Sequence, residues 1–203
     1  PVSETARVPV LIVGGGPVGL ALAVDLGVRG VPCLLVEQRD GSITVPKMNM
    51  INARSMEFCR RWGVARDVKA VGWPEDFDNN VLFVTAMTGF ELARFEYPSY
   101  RKRGELPDTP EGSRRCSQML FDPMLMARVR ALPRTTLRYR TALVEFRQDR
   151  AGVAAVLRDA DTGRTETIAA DYLVACDGAD SSVRQALGIG MSGPPALSFN
   201  LNI

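Results

Sequence analysis

Apolar positions along this chain change rhythm in a regular order. Val10-Leu-Ile-Val13 is an unbroken, largely β-branched run, the pattern of a strand covered on both faces. Leu20, Leu22, Ala23 and Leu26 then recur at helical spacing, and Val31 to Val36 restores a strand pattern. Asn52 and Gly63 bracket Ala53 to Trp62 as N-cap and C-terminal stop, predicting a helix with Met56, Phe58 and Cys59 among its apolar residues. A short helix over Val64 to Val71 follows. Val81 to Ala86 and Glu91 to Phe95 read as a hairpin turning at Thr88-Gly89. Tyr97 to Arg115, rich in Pro, Gly and charge, predicts a long surface loop. Met119 to Leu132 predicts a helix with Pro123 in its first turn and Leu125, Met126 and Val129 facing inward.

Leu137 to Tyr139 reads as a short strand. Leu143 to Phe146, Val153 to Leu157 and Thr165 to Ile168 are then separated by the turn compositions Asp149-Arg-Ala-Gly152 and Asp161-Thr-Gly163, which predicts an antiparallel meander. A separate buried strand, Tyr172 to Cys176, returns to the sheet and ends at Asp177-Gly178.

Between the first strand and the first helix the glycines fall as Gly14-x-Gly16-x-x-Gly19. Gly14 permits a sharp turn, Gly16 lets a pyrophosphate approach the backbone amides, and Gly19 lets the helix lie close to the sheet. Unpaired amides and the helix dipole favour the anion there, and Pro17 suits an early helical position. Glu37, followed by Gln38, ends the second strand about 20 residues on, where the motif expects an acid that accepts from a ribose. The alternative for Glu37 is a solvated strand-end glutamate. The combination binds the ADP half of a dinucleotide without saying which one.

Composition narrows the chemistry. At 203 residues with 46% hydrophobic content, the chain buries a core of one domain with an added lobe. A net charge of +2 gives no electrostatic case for a nucleic-acid partner. Arg101-Lys-Arg103 and Arg114-Arg115 read as solvated loop faces. No apolar run is long enough to span a bilayer, which argues against a membrane partner. Cys33, Cys59, Cys116 and Cys176 lack a CxxC pair and read as small buried hydrophobes in a reducing cytoplasm, with no metal site. Histidine is absent. This removes histidine triads and the usual general base, so a cofactor has to carry the chemistry.

Gly14-Gly-Gly-Pro-Val-Gly-Leu20 with Glu37, Arg54-Ser-Met-Glu-Phe-Cys-Arg-Arg-Trp-Gly-Val64, and Asp177-Gly-Ala-Asp-Ser-Ser-Val-Arg184-Gln-Ala-Leu-Gly188 together resemble the single-component FAD-dependent aromatic hydroxylases. These are the group A flavoprotein monooxygenases of the p-hydroxybenzoate hydroxylase fold, here nearest the phenol-hydroxylase-like and natural-product tailoring branch. The resemblance implies an α/β fold: a Rossmann-like FAD-binding domain with a parallel sheet and an antiparallel β-meander crossover, glutathione-reductase-like and incomplete. It divides the chain into 1–75 and 116–190 as two parts of the FAD-binding domain, 76–115 as a contribution to a substrate-side lobe, and 191–203 as the start of a substrate domain.

By the same resemblance the pyrophosphate lies over Gly14, Gly16 and Gly19, and Glu37 holds the adenosine ribose. Gln118 matches the family glutamine near the ribityl chain; on spacing alone it is a helix-start residue. Lys47 stands where relatives usually carry an arginine, keeping the charge without the planar fork. Arg54 is a second basic contact or a helix-surface arginine. Asp177, Gly178 and Arg184 belong to a motif credited with FAD and NAD(P)H binding; the plain alternative for Asp177 is a cap on the next helix.

The implied reaction uses NAD(P)H and O2 to hydroxylate an aromatic, polyketide- or indole-type small molecule. The family's Gly-Asp fingerprint does not occur in the chain, and the first residue is Pro1. These features suggest an N-terminal piece, inactive alone, whose partner is the remainder of its own polypeptide and whose catalytic residues lie elsewhere. Two rivals are an NAD-dependent dehydrogenase, for which the missing histidine and the meander are unfavourable, and a non-catalytic dinucleotide-binding module.

Overall fold

The computed structural model describes residues 6–104 and 106–194. In chain order it contains β1 (Ala6–Val13), α1 (Pro17–Val28), β2 (Cys33–Val36), β3 (Met50–Ile51), α2 (Ala53–Trp62), α3 (Ala65–Lys69), β4 (Val81–Val84) and β5 (Glu91–Phe95). There follow α4 (Tyr100–Arg103), β6 (Arg114–Arg115), α5 (Gln118–Arg130), β7 (Thr135–Arg138), β8 (Thr141–Asp149), β9 (Gly152–Asp159), β10 (Thr165–Ala175) and α6 (Ser182–Ala186). The chain forms two compact units. The first comprises the chain up to Gly19, Pro32–Gly41 and the chain from Thr136; the second comprises Leu20–Val31 and Ser42–Thr135.

The first unit is built on a six-stranded sheet in the order β7-β2-β1-β10-β9-β8. β1 runs parallel to both β2 and β10, with Val10 opposite Cys33 and Tyr172 and Val13 opposite Val36 and Ala175. β10, β9 and β8 are antiparallel. The expected parallel core and meander are therefore both present, within one sheet. Leu11, Val13, Leu34, Val36, Ala155, Leu157, Ile168 and Ala170 form the unit's core, with Val183 of α6 against it.

The separate third meander strand and return strand are corrected: they are one strand, β10. No glycine or proline interrupts Ala169-Ala-Asp171, so the backbone stays extended and changes partner instead of turning. Its first half pairs with β9, while β1 pairs with it from Ile168 onward. Nor is its last stretch fully buried, since Tyr172 is 70% exposed.

In the second unit α2 has the expected bounds. The Asn52 side chain accepts from the Ser55 amide at 2.8 Å, and Gly63 ends the helix at φ 80°. β4 and β5 form the expected hairpin. α5 starts at Gln118, so Pro123 lies inside the helix and not in its first turn. Leu125 and Val129 are buried, whereas Met126 is half-buried.

The surface loop expected over Tyr97 to Arg115 is also corrected. Ser99 is buried and caps α4, Glu111 is buried, and β6 pairs antiparallel with β3. The Cys116 and Gln118 amides continue that ladder to the Asn49 and Met48 carbonyls at 3.0 and 2.9 Å. Non-local backbone pairing supplies what a composition-based reading of the segment could not. The expected substrate-domain start at 191–203 lies mostly outside the described residues.

Candidate functional site

The glycine turn of the first unit is held between two strand ends. The Gly14 amide donates to the Val36 carbonyl at 2.9 Å, and the Cys176 amide donates to Val13 at 2.7 Å. Gly14 adopts φ 107°, and a Cβ there would meet the Cys176 carbonyl oxygen at 2.3 Å and the Asp177 nitrogen at 2.8 Å. A Cβ on Gly19 would lie 1.9 Å from the Gly14 oxygen and 3.3 Å from the Cys176 Cβ. Gly16 differs: a Cβ there would meet nothing within 4 Å. Two of the glycines are thus demanded by backbone contact, while the third faces open space beside Pro17, the first residue of α1.

Glu37 reaches back under this turn. One carboxylate oxygen accepts the Gly15 amide at 2.7 Å and the other the Arg39 amide at 2.8 Å. Gln38 beside it is exposed. From β10, Asp177 Oδ2 accepts the Ser182 hydroxyl and the Val183 amide, each at 3.3 Å, so the capping alternative is realised at the start of α6. Its Oδ1 is buried and has no hydrogen-bond partner. Burial raises the cost of charging Asp177, but hydrogen bonds from Ser181, Val183 and Ser182 outweigh it and hold the carboxyl below its ordinary value. Gly178 has φ 86°. The Arg184 guanidinium donates to the Ile189 and Ala179 carbonyls at 3.0 and 3.2 Å, bracing the turns on both sides of α6.

In the second unit, Gln118 is buried at the start of α5. Its Oε1 accepts the Lys47 amide at 2.8 Å and its Nε2 donates to Asp122 Oδ2 at 3.0 Å. The Lys47 side chain is exposed. Arg54 pairs with Glu57 at 2.7 Å and lies 4.7 Å over the Phe58 ring, fully consistent with a helix-surface arginine.

Sequence reasoning missed Asp122, which is only 3% exposed. Its position one helical turn after Gln118 was the available signal. Reading Arg114 and Arg115 as solvated loop residues is corrected as well. Arg114 pairs with Glu75 at 2.7 Å and covers the Tyr100 ring at 4.3 Å, while Arg115 lies 5.1 Å over Trp73. The nearby aromatic residues turn the pair into cation–π contacts.

A parallel strand, a glycine turn with open space at Gly16, a helix N-terminus, a strand-end acid and a second strand ending on the same turn define a Rossmann-type dinucleotide-binding domain. The chain belongs to the FAD binding domain family, whose model matches residues 7–203. It is 37% identical over 201 residues to a putative polyketide hydroxylase of Streptomyces coelicolor, covering 98% of this chain and 32% of that protein. The structure of the substrate-free rebeccamycin biosynthetic enzyme RebC superposes with a TM-score of 0.83 at 44% identity, over 92% of this chain and 36% of RebC. The flavin-dependent monooxygenase PieE, solved in complex with FAD and substrate, gives a TM-score of 0.83 at 37% identity, over 93% of this chain and 33% of PieE. The chain spans about a third of the length of the curated relatives it matches. Among the described residues no helix is long and apolar enough to cross a membrane.

Proposed function

We infer that this chain is the FAD-binding part of an NAD(P)H-dependent monooxygenase that hydroxylates an aromatic or polyketide-type small molecule with O2. The observation that carries the reading is the open position at Gly16, set at a helix N-terminus between Glu37 and the Cys176-Asp177 strand end. An anion needs that combination of bare backbone, amide donors and dipole.

The residues present fit the cofactor. Gly14 and Gly19 keep the turn tight, Gly16 and Pro17 leave room for the pyrophosphate, and Glu37 with the neighbouring Gln38 faces the adenosine ribose. Asp177, whose buried Oδ1 still has acceptor capacity, and Gly178 supply the strand-end contact. Arg184 supports that turn and, as the resemblance implies, bears on NAD(P)H binding. In the second unit, Gln118 is assigned to the ribityl chain, with Lys47 and Arg54 as basic contacts. Bound FAD would supply the redox chemistry, two-electron reduction by NAD(P)H and activation of O2, with one oxygen atom entering the ring and the other leaving as water. The protein's part is to bind, orient and exclude water.

We extend the assignment to 76–115 as a substrate-side contribution, within a layout of 1–75 and 116–190 for the cofactor and 191–203 for the start of a substrate domain. The supporting observation is the hairpin's exposed apolar surface, with Leu82, Phe83, Phe90 and Leu92 between 46% and 82% exposed.

Titrating the purified chain with FAD, while following flavin fluorescence and visible absorption, tests the reading. Saturable binding that is abolished in Gly16→Val supports it, and binding of NAD in preference to FAD overturns it. Anaerobic reduction of the FAD-loaded protein by NADH and by NADPH tests the co-substrate.

A further inference from the structure

Gln118 is held in one orientation by two neighbours of opposite hydrogen-bonding character. The Lys47 backbone N–H only donates, so it selects Oε1, at 2.8 Å. Asp122 Oδ2 lies 3.0 Å from Nε2 and accepts its hydrogen. The pair sits at i,i+4 on α5, where side chains meet on one helix face. Both are buried, Gln118 to 9% and Asp122 to 3% exposure, so water does not offer the amide a substitute partner.

The arrangement is costly if it serves only to fill the core. Asp122 Oδ1 is buried with no hydrogen-bond partner. A bare buried polar atom gives up its hydration with nothing in return, and an apolar side chain of the same size would avoid that loss. Burial also pushes the Asp122 carboxyl up from its ordinary value, partly offset by the bond from Gln118. What an apolar side chain cannot do is accept from Nε2. Without that acceptor only the Lys47 N–H holds the Gln118 amide, and the Lys47–Oε1 bond opens more readily.

We propose that Asp122 is a positioning residue: by accepting from Gln118 Nε2 it fixes the Gln118 amide so that Oε1 anchors the Lys47 backbone, setting both candidate cofactor contacts in register. The proposal deepens the FAD reading and rests on it for its functional meaning. Its structural core is testable without cofactor.

Asp122→Leu removes the acceptor and the orphan oxygen together. Asp122→Asn keeps an acceptor for Nε2. In cofactor-free protein, amide exchange at Lys47 is expected to accelerate about tenfold in Asp122→Leu, the equivalent of roughly 1.4 kcal/mol, and to stay near wild type in Asp122→Asn. Exchange at Val64, whose amide bonds the Cys59 carbonyl at 2.9 Å in the same unit, serves as the control and stays unchanged. In FAD titrations Asp122→Leu is expected to weaken binding about tenfold in the wild-type background and to add nothing in a Gln118→Met background.

Unchanged Lys47 exchange in Asp122→Leu overturns the proposal, as does equal loss in both Asp122 variants. Additive losses with Gln118→Met show a role in the core alone and overturn it too. If wild-type protein binds no FAD, the cofactor reading fails, while the exchange result still decides the positioning role.

Discussion

Gly19 stands so close to Gly14 that a Cβ at position 19 would lie 1.9 Å from the Gly14 carbonyl oxygen. The two residues close the turn by backbone contact, and Gly16 between them takes no part in that contact. The three glycines of one motif therefore separate into two that the fold needs and one that it leaves open, the position proposed for the ligand. Gly19→Ala is expected to destabilise the protein by about 2–4 kcal/mol in denaturant titration. Gly16→Ala is expected to leave the melting temperature of the cofactor-free protein within about 2 °C of wild type. Its FAD affinity should nevertheless fall at least about tenfold, since the added methyl enters the space left for the pyrophosphate. Equal stability losses in the two variants would remove the distinction.

Glu37 has a double task. It supports the turn by accepting the Gly15 and Arg39 amides at 2.7 and 2.8 Å, and the proposed FAD reading gives it the adenosine ribose as a second partner. Glu37→Gln replaces one acceptor oxygen by an NH2 that faces an N–H donor. The expected result is a modest stability loss, about 1 kcal/mol, together with FAD binding weakened about tenfold. Differential scanning calorimetry and fluorescence titration read the two effects separately.

Asp25 in the second unit joins two segments distant in sequence. It accepts from Arg61 at 2.5 Å, Trp62 Nε1 at 2.8 Å and Arg29 at 2.9 Å. Burial opposes ionisation, but these hydrogen bonds and the Arg61 charge prevail and bring the carboxyl down to about 2. A folded-state value below the unfolded one means the stabilisation is complete above the ordinary carboxylate value and is lost as the pH falls toward 2. After allowance for solvent screening it amounts to about 1–2 kcal/mol. Asp25→Asn should lower stability by that amount at pH 7 and by progressively less on acidification, measured by urea unfolding across pH. A constant difference at every pH would show that the charge is irrelevant.

How much of this was legible follows from the range of the interactions. The glycine turn, the α2 caps at Asn52 and Gly63, and the β4–β5 hairpin were readable because each is fixed by residues close in sequence. The continuity of β10 was not, because a strand that exchanges an antiparallel partner for a parallel one leaves no mark in its own composition. The order within 97–115 depends on β6 finding β3, and the role of Arg114 depends on Tyr100 and Glu75, all non-local. Asp122 was hidden for a further reason. A charged residue on a helix reads as solvent-facing, and only its partner Gln118 explains its burial.

Cys176 offers a chemical probe of the nucleotide turn. Cys33 and Cys59 are buried, and burial pushes their thiols up to about 11 and about 12; Cys116 is buried and raised by the same cause. Reaction with a disulfide reagent needs thiolate and access, and these three lack both at pH 8. Cys176 is half-buried and also raised, first by burial and then by the Asp177 charge, so it should react slowly but ahead of the others. Its Cβ lies against Gly19 and its carbonyl against Gly14, directly beneath the turn assigned to the pyrophosphate. Labelling of the cofactor-free protein at pH 8, resolved by peptide mass, is expected to modify Cys176 first and to reach all four thiols only on unfolding. Saturating FAD should slow Cys176 labelling severalfold on a timescale where the other three thiols stay unlabelled with or without it, because ligand over the turn suppresses the local opening the reagent requires. Labelling of Cys176 only together with the other three would point instead to global unfolding as its route, and faster labelling of Cys176 in the presence of FAD would remove the pyrophosphate from this turn.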